Sequence, residues 1–120
     1  VLYRAHGLFY IMHYHIVKLD NRHSYHDRFQ YAIEFSKAGA YGTGVLDFDR
    51  SRRWFNEHYG WGQPVEIQEA LLRNKQYHGH LYTDQDINPV WSYSAQYRNY
   101  RIYVASDAEV SWFVLCHPKS

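Results

Sequence analysis

Sulfur is scarce in this chain, which carries one cysteine, Cys116, and one methionine. A lone cysteine excludes an internal disulfide and any zinc site built from several thiolates. Long hydrophobic runs are also missing, since no apolar stretch approaches the roughly 20 residues that span a bilayer. The first residues lack the basic flank, apolar segment and small-residue cleavage site of a secretory leader. These absences set the expectation of a soluble domain, intracellular or assembly-bound, with no membrane partner. Excess charge of one sign is absent as well: 13 basic residues face 12 acidic ones, net +1. No strong field therefore selects nucleic acid, a membrane surface or an acidic substrate. At 120 residues the chain has the length of one domain, expected over 1–120. Leu, Ile, Val and Phe supply 28 of those residues, above the level of a disordered chain.

What is abundant is aromatic surface. Thirteen Tyr, four Trp and six Phe make up 19% of the sequence. Arg outnumbers Lys nine to four, and Glu occurs five times. Protein contact surfaces are enriched in Tyr, Trp and Arg and depleted in Lys and Glu. Rings bury much area at low rotamer cost, and guanidinium adds planar, multidentate bonding. The plainer reading is a small core built from Tyr in place of Leu, its phenols reaching solvent.

Leu8 to Leu19 is β-branched and aromatic on both faces, which suits a strand buried on both sides. Asp20-Asn21-Arg22 reads as a turn. Ser24 and Asp27 then resemble a capping box, and Tyr25, Phe29, Ala32, Ile33 and Ser36 follow at helical spacing up to Gly39. Ala40 to Gly44 reads as a loop. Asp47 or Asp49 can cap a second helix through Trp54, Phe55, His58 and Tyr59, closed by Gly60. Pro64 suits the first position of a third helix with the apolar stripe Ile67, Ala70 and Leu71. Lys75 to Pro89 reads mostly as loop. Trp91, Tyr93, Ala95 and Tyr97 alternate with Ser92, Ser94 and Gln96 as a half-buried strand, which Arg98-Asn99 turns back into Tyr100–Ala105. Ser106-Asp107-Ala108-Glu109 is a full capping box, followed by a stripe of Val110, Phe113, Val114 and His117 that Pro118 ends. The expected fold class is α+β, with a small antiparallel sheet of about three strands against three or four helices.

Known catalytic patterns fail on inspection. There is no His-Glu-x-x-His helix, and no P-loop Lys-Ser/Thr follows Gly42-Thr43-Gly44. The deaminase Pro-Cys-x-x-Cys is missing. His13 and His80 do not open the His-x-Ser/Thr pairs of two-histidine phosphoesterases. Gly7-Leu8-Phe9-Tyr10-Ile11 resembles the first strand of a GIY-YIG nuclease, but no Tyr-Ile-Gly follows. Cys116 lies in an apolar helix, where a thiol packs. Nine histidines keep a metal hydrolase in view. His13 and His15 would leave one face of a strand, His78 and His80 form a second pair, and Asp20, Asp84 or Asp86 could add a carboxylate. Ordinary polar-aromatic packing accounts for the same residues, and no cofactor is expected.

Two surfaces carry binding expectations. Arg50, Arg52 and Arg53 fall in the first turn of the second helix, where cations oppose the macrodipole and free N–H groups favour an anion, with Trp54 and Trp61 nearby. Local neutralisation by Asp47 and Asp49 is the alternative. From Trp91 to Tyr103, the rings of Tyr93, Tyr97, Tyr100 and Tyr103 mix with Arg98 and Arg101 as in single-strand binders. The balanced charge favours protein contact over RNA or DNA on that surface.

The run Tyr100-Arg-Ile-Tyr-Val-Ala-Ser-Asp-Ala-Glu-Val-Ser-Trp-Phe-Val-Leu-Cys-His117 resembles the strand, acidic turn and aromatic helix that end some small tailed-bacteriophage proteins. Arg52-Arg-Trp-Phe-Asn-Glu-His-Tyr-Gly60 has a similar character. The resemblance covers about a fifth of the chain, implies a viral source and transfers no site residue. Together these readings point to a non-enzymatic contact module, either a virion or assembly subunit or an inhibitor of a host protein. Its partner would be another protein or copies of itself, with a single-strand nucleic-acid binder and a His-liganded hydrolase as alternatives. Trp54, Trp61, Trp91, Tyr93, Tyr97, Arg52, Arg53, Arg98 and Arg101 are the expected anchors and rim.

Overall fold

In the computed structural model the described residues are 4–5, 8–9, 12–35, 43–74, 76–77, 80–81 and 87–118. The strands are β1 (Arg4–Ala5), β2 (Leu8–Phe9), β3 (Tyr14–Lys18), β4 (Tyr31–Phe35), β5 (Gln76–Tyr77), β6 (His80–Leu81), β7 (Trp91–Ser94) and β8 (Arg101–Val104). The helices are α1 (Thr43–Tyr59), α2 (Val65–Asn74) and α3 (Asp107–Cys116). β3, β4, β8 and β7 form, in that spatial order, a four-stranded antiparallel sheet. β1 pairs with β2 and β5 with β6 as separate short ribbons. The fold is α+β as expected, with one more strand in its main sheet than the sequence suggested.

Register makes the two faces of this sheet chemically unlike. Side chains alternate along a strand, so residues paired across the ladder share a face. One face carries the row Ile16, Ile33, Ile102, Tyr93 and the row Lys18, Tyr31, Val104, Trp91. The other carries His15, Glu34, Arg101, Ser94 and Val17, Ala32, Tyr103, Ser92.

The apolar face meets α1 and α3. Trp54 and Phe55 of α1 are buried, and their rings lie 5.6 Å from that of Phe113 on α3. Phe113 in turn sits 5.1 Å edge-on from Tyr14 of β3, whose hydroxyl donates to the His117 carbonyl at 2.7 Å. Burial pushes the Tyr14 phenol up to about 12, so it stays a neutral donor. α3 starts on the predicted capping box: the Ser106 N–H donates to Glu109 Oε1 at 3.1 Å and its hydroxyl to Oε2 at 2.7 Å.

α1 ends at Gly60, as expected, because φ of +87° there suits a residue without a Cβ. Asn88 then clasps the turn. Its Nδ2 donates to the Tyr59 and Trp61 carbonyls at 2.9 and 3.1 Å, while its Oδ1 accepts from the Val90 N–H at 2.8 Å. Trp91 completes the clasp by donating Nε1–H to the Gly60 carbonyl at 2.9 Å. α2 reaches the polar face from the β7 edge: Val65 is buried against Phe29, Ala32 and Tyr103. Its buried stripe is Val65, Gln68 and Leu71, not Ile67, Ala70 and Leu71.

Several sequence expectations need correction. The helix expected from Ser24 is absent: 21–28 is turn, and Tyr31–Phe35 is a central strand. Tyr31, Ile33 and Phe35 also fit a period of two, and ladders on both sides of β4 outweigh a weak helical propensity. The strand expected from Leu8 to Leu19 is divided between β2 and β3, and β3 is half-exposed rather than buried on both faces, an edge of the main sheet among the described residues. The strand from Trp91 ends at Ser94, and Gln96–Arg98 is a tight 3₁₀-type turn. In α3, Glu109, Phe113, Cys116 and His117 face inward while Val114 is exposed. Gly39 and most of the loop expected at 40–44 lie outside the described residues, and Gly44 itself sits inside α1. Lys75–Pro89 contains the β5–β6 ribbon.

The close approach of Gly62 to Trp91 is a testable constraint. A Cβ on residue 62 would lie 2.6 Å from the indole ring, which is fully buried and anchored through Nε1. Gly62→Ala should therefore lower the unfolding free energy by about 1–3 kcal/mol, the usual cost of overpacking, in urea denaturation followed by fluorescence. An unchanged midpoint would show that the ring yields freely.

Candidate functional site

Because α1 begins at Thr43, Arg50, Arg52 and Arg53 sit in its middle and not in its first turn. The N–H groups expected to receive an anion beside them are bonded within the helix, and that anion site is not formed. Arg52 instead lies over the Tyr93 ring at 4.6 Å and the Phe48 ring at 5.4 Å, with Asp49 at 3.8 Å. Arg53 is exposed and Arg50 half-buried.

The expected stacking surface from Trp91 to Tyr103 is divided among different environments. Trp91 is a core residue, as is Trp54, so neither is available to a partner. Tyr93 and Tyr100 face α1, their rings 6.1 and 5.2 Å from Phe48. Tyr103 is buried on the opposite face, 5.3 Å edge-on from Tyr25. Only Tyr97 and Arg98 project outward at the hairpin tip, with Tyr97 89% exposed. Alternation within a two-sided sheet explains this, because strand neighbours cannot share a face.

Arg101 is held on the polar face, its Nε donating to Glu34 Oε2 at 2.6 Å. His15 shares the same carboxylate, with Nε2 at 2.8 Å from Oε1. Burial pushes the Glu34 carboxyl up, but the hydrogen bonds and charges of Arg101 and His15 outweigh it and hold the group below its ordinary value. His13 lies just before β3, and its backbone N–H donates to Asp47 at 3.1 Å. Asp20 is engaged by Arg22 and His23 at 2.8 and 2.9 Å. His78, Asp84 and Asp86 lie outside the described residues, as does the side chain of His80. Among the described residues no group of three or more His, Cys, Asp and Glu is placed to hold a metal ion, and no helix is long and apolar enough to cross a membrane.

The surface that stands out was not singled out from sequence. The C-terminal half of α3 is apolar, and two of its large side chains face outward: Leu115 is 76% exposed and Trp112 43%. Trp112 is seated from below, its ring 4.8 Å from His58, 5.4 Å from Trp54 and 5.7 Å from Tyr59. Its outer side is thereby presented rigidly. Two residues beyond Tyr59, Trp61 is 74% exposed while its carbonyl is held by Asn88. A surface helix normally keeps a polar outer side. Trp112, Val114 and Leu115 break that rule, and the unbroken apolar run from Trp112 to Cys116 is the signal that could have found them.

The polar face yields a pH prediction. The folded Glu34 carboxyl lies below its unfolded value, so the unfolded chain binds the proton first as pH falls. Its stabilisation is complete above the unfolded value of about 4.3 and is lost as pH drops through the lower folded one. Glu34→Gln should be less stable than wild type at neutral pH, with the gap in urea midpoint closing in acid. A gap that is constant with pH would show that the charge of Glu34 contributes nothing.

No family model, curated protein or solved structure matches the chain.

Proposed function

We propose that this protein is a non-enzymatic contact module that works by occupying a surface of another protein or of its own copies, as an assembly or virion subunit or an inhibitor of a host protein does. The observation that carries this reading is the outward apolar side of α3, where Leu115 and the braced ring of Trp112 are exposed on a capped helix. Trp61 adds a third large side chain with a fixed backbone. Aromatic anchors of this kind bury roughly 150–250 Å² each, and pre-seated ones lose little entropy on docking. Exposed Arg53 and Arg98 are available for directional bonds at a rim.

The single-strand nucleic-acid reading is less well supported. It needs several rings on one solvent-facing platform with unpaired cations. Tyr93 and Tyr100 pack under α1, and the guanidinium of Arg101 is bonded to Glu34.

Native mass spectrometry of material from its natural source tests the proposal. Wild-type chain is expected to travel with a protein or with its own copies. Leu115→Asp and Trp61→Ala should travel alone, with binding weakened at least about tenfold and circular dichroism unchanged, because neither side chain is in the core. A wild type isolated without protein, or variants that retain the complex, would overturn the reading.

A further inference from the structure

On the polar side of the sheet, away from α3, a hollow of about 200 Å³ opens between the turn at Ser24–Tyr25 and the β7–β8 hairpin tip. Tyr25 and Tyr103 form one wall, Tyr97 stands at the mouth, and Glu66, Ser94 and Arg101 complete the lining. Three features of this hollow converge on one kind of ligand.

Backbone strain is concentrated at its walls. Tyr25 has φ of +67°, Tyr97 +55° and Arg98 +63°, and these are the only described non-glycine residues in the left-handed region. The Asn99 N–H closes the hairpin tip onto the Gln96 carbonyl at 2.9 Å. A turn of this hand ordinarily takes Asn-Gly, and a bulky residue in it is strained by its Cβ. Strain of that kind persists where the surrounding structure holds it, and it clusters at ligand clamps. Here it holds the Tyr97 ring almost wholly in solvent, at the rim of a cavity.

The charged side chains that line the hollow are Glu66 and Arg101. Arg101 is neutralised by Glu34 at 2.6 Å. Glu66 has only a neutral donor, the Ser94 hydroxyl at 2.6 Å, and among the described residues no cation lies within 4.0 Å of it. The neighbouring Glu69 is already paired with Arg28 at 3.1 Å. Burial and the charges of Glu66 and Glu69 push the Tyr25 phenol up, against the opposing effect of Arg73, so Tyr25 stays neutral.

Size sets the last limit. The cavity is smaller than the roughly 300–1,000 Å³ of pockets that enclose a whole small molecule. It suits a headgroup that enters past Tyr97 while the rest of its molecule stays outside.

We propose that the hollow between Tyr25, Tyr97 and Glu66 binds an alkylammonium group, in the setting of this chain a lysine side chain of a partner protein. The ammonium donates to the free oxygen of Glu66, and the tyrosine faces attract its charge through their quadrupoles. The alkyl stem passes along the Tyr97 ring. This site lies on the opposite side of the sheet from the α3 surface and does not depend on it.

The experiment is a titration of the ¹⁵N-labelled full chain at constant ionic strength, following the amides of Tyr25, Glu66 and Tyr97. The probes are n-butylammonium, N-acetyl-lysine-N-methylamide, n-butanol as the neutral isostere, and inorganic phosphate. Both ammonium probes should give saturable shifts at these amides, with tighter binding of the lysine amide identifying a peptide-borne source. Butanol and phosphate should give none. Glu66→Gln should weaken binding about tenfold or more, as loss of a charge-assisted hydrogen bond does. Tyr97→Gly, which removes the ring while suiting the left-handed backbone, should weaken it about threefold. Preserved amide dispersion in both variants separates these effects from unfolding. Absent or non-saturable ammonium shifts, equal shifts with butanol, or saturable shifts with phosphate would each overturn the proposal.

Discussion

Trp54 and Phe55 are the pair on which the rest of this structure depends. They are consecutive on α1, so their side chains diverge by about 100° around the helix and reach two different neighbours. Trp54 meets Trp112, Phe113 and His117 of the C-terminal segment, while Phe55 meets Trp91 of the sheet and also Phe113. α3 makes few contacts of its own with the strands, and Phe113 touches both members of the pair. One dipeptide thus fixes the distance and angle of both helices over the apolar face. Its loss would remove the common floor of α3 and leave Trp112 without the ring that braces it.

That arrangement explains where the aromatic surplus goes. A four-stranded sheet with two covering helices has few core positions, and filling them with large rings reaches close packing with few residues. Phe29, Trp54, Phe55, Trp91 and Phe113 are all essentially inaccessible. The composition alone could not divide rings between interior and surface, because both uses favour Trp and Tyr. Trp54 and Trp91 therefore look like anchors in the sequence although they are the core, and nothing in the composition marks Trp112, which is exposed.

Local chemistry was the more legible part. Ser106 and Glu109 announced α3, Gly60 announced the end of α1, and Pro64 stood one residue ahead of α2, because each signal acts within a single turn. Pairing partners were not legible. Tyr31–Phe35 carries both a helical and an alternating pattern, and it became a strand because β3 and β8 offer ladders from either side. The start of α1 at Thr43 moved Arg50, Arg52 and Arg53 from a helix end to its middle, which erased the anion site they suggested. Of the contact residues expected from sequence, Trp61, Tyr97, Arg53 and Arg98 are the ones the fold leaves exposed.

Exposure and strain then divide the molecule into two surfaces of different physics. On the helical side the exposed groups are apolar and unstrained, and association there would be driven by removing ring and aliphatic area from water. On the far side of the sheet, Glu34, Arg101 and His15 satisfy one another, which ties up the charges nearest the hollow and leaves Glu66 as its one carboxylate without a cation among the described residues. The same ion-paired row also holds β4 against β8 directly beneath the hairpin that carries Tyr97. A rigid base is what allows two successive left-handed side chains to persist at a hairpin tip, since a pliable one would relax the turn. The Glu34–Arg101 pair therefore does more for the shape of the polar face than its modest contribution to stability suggests.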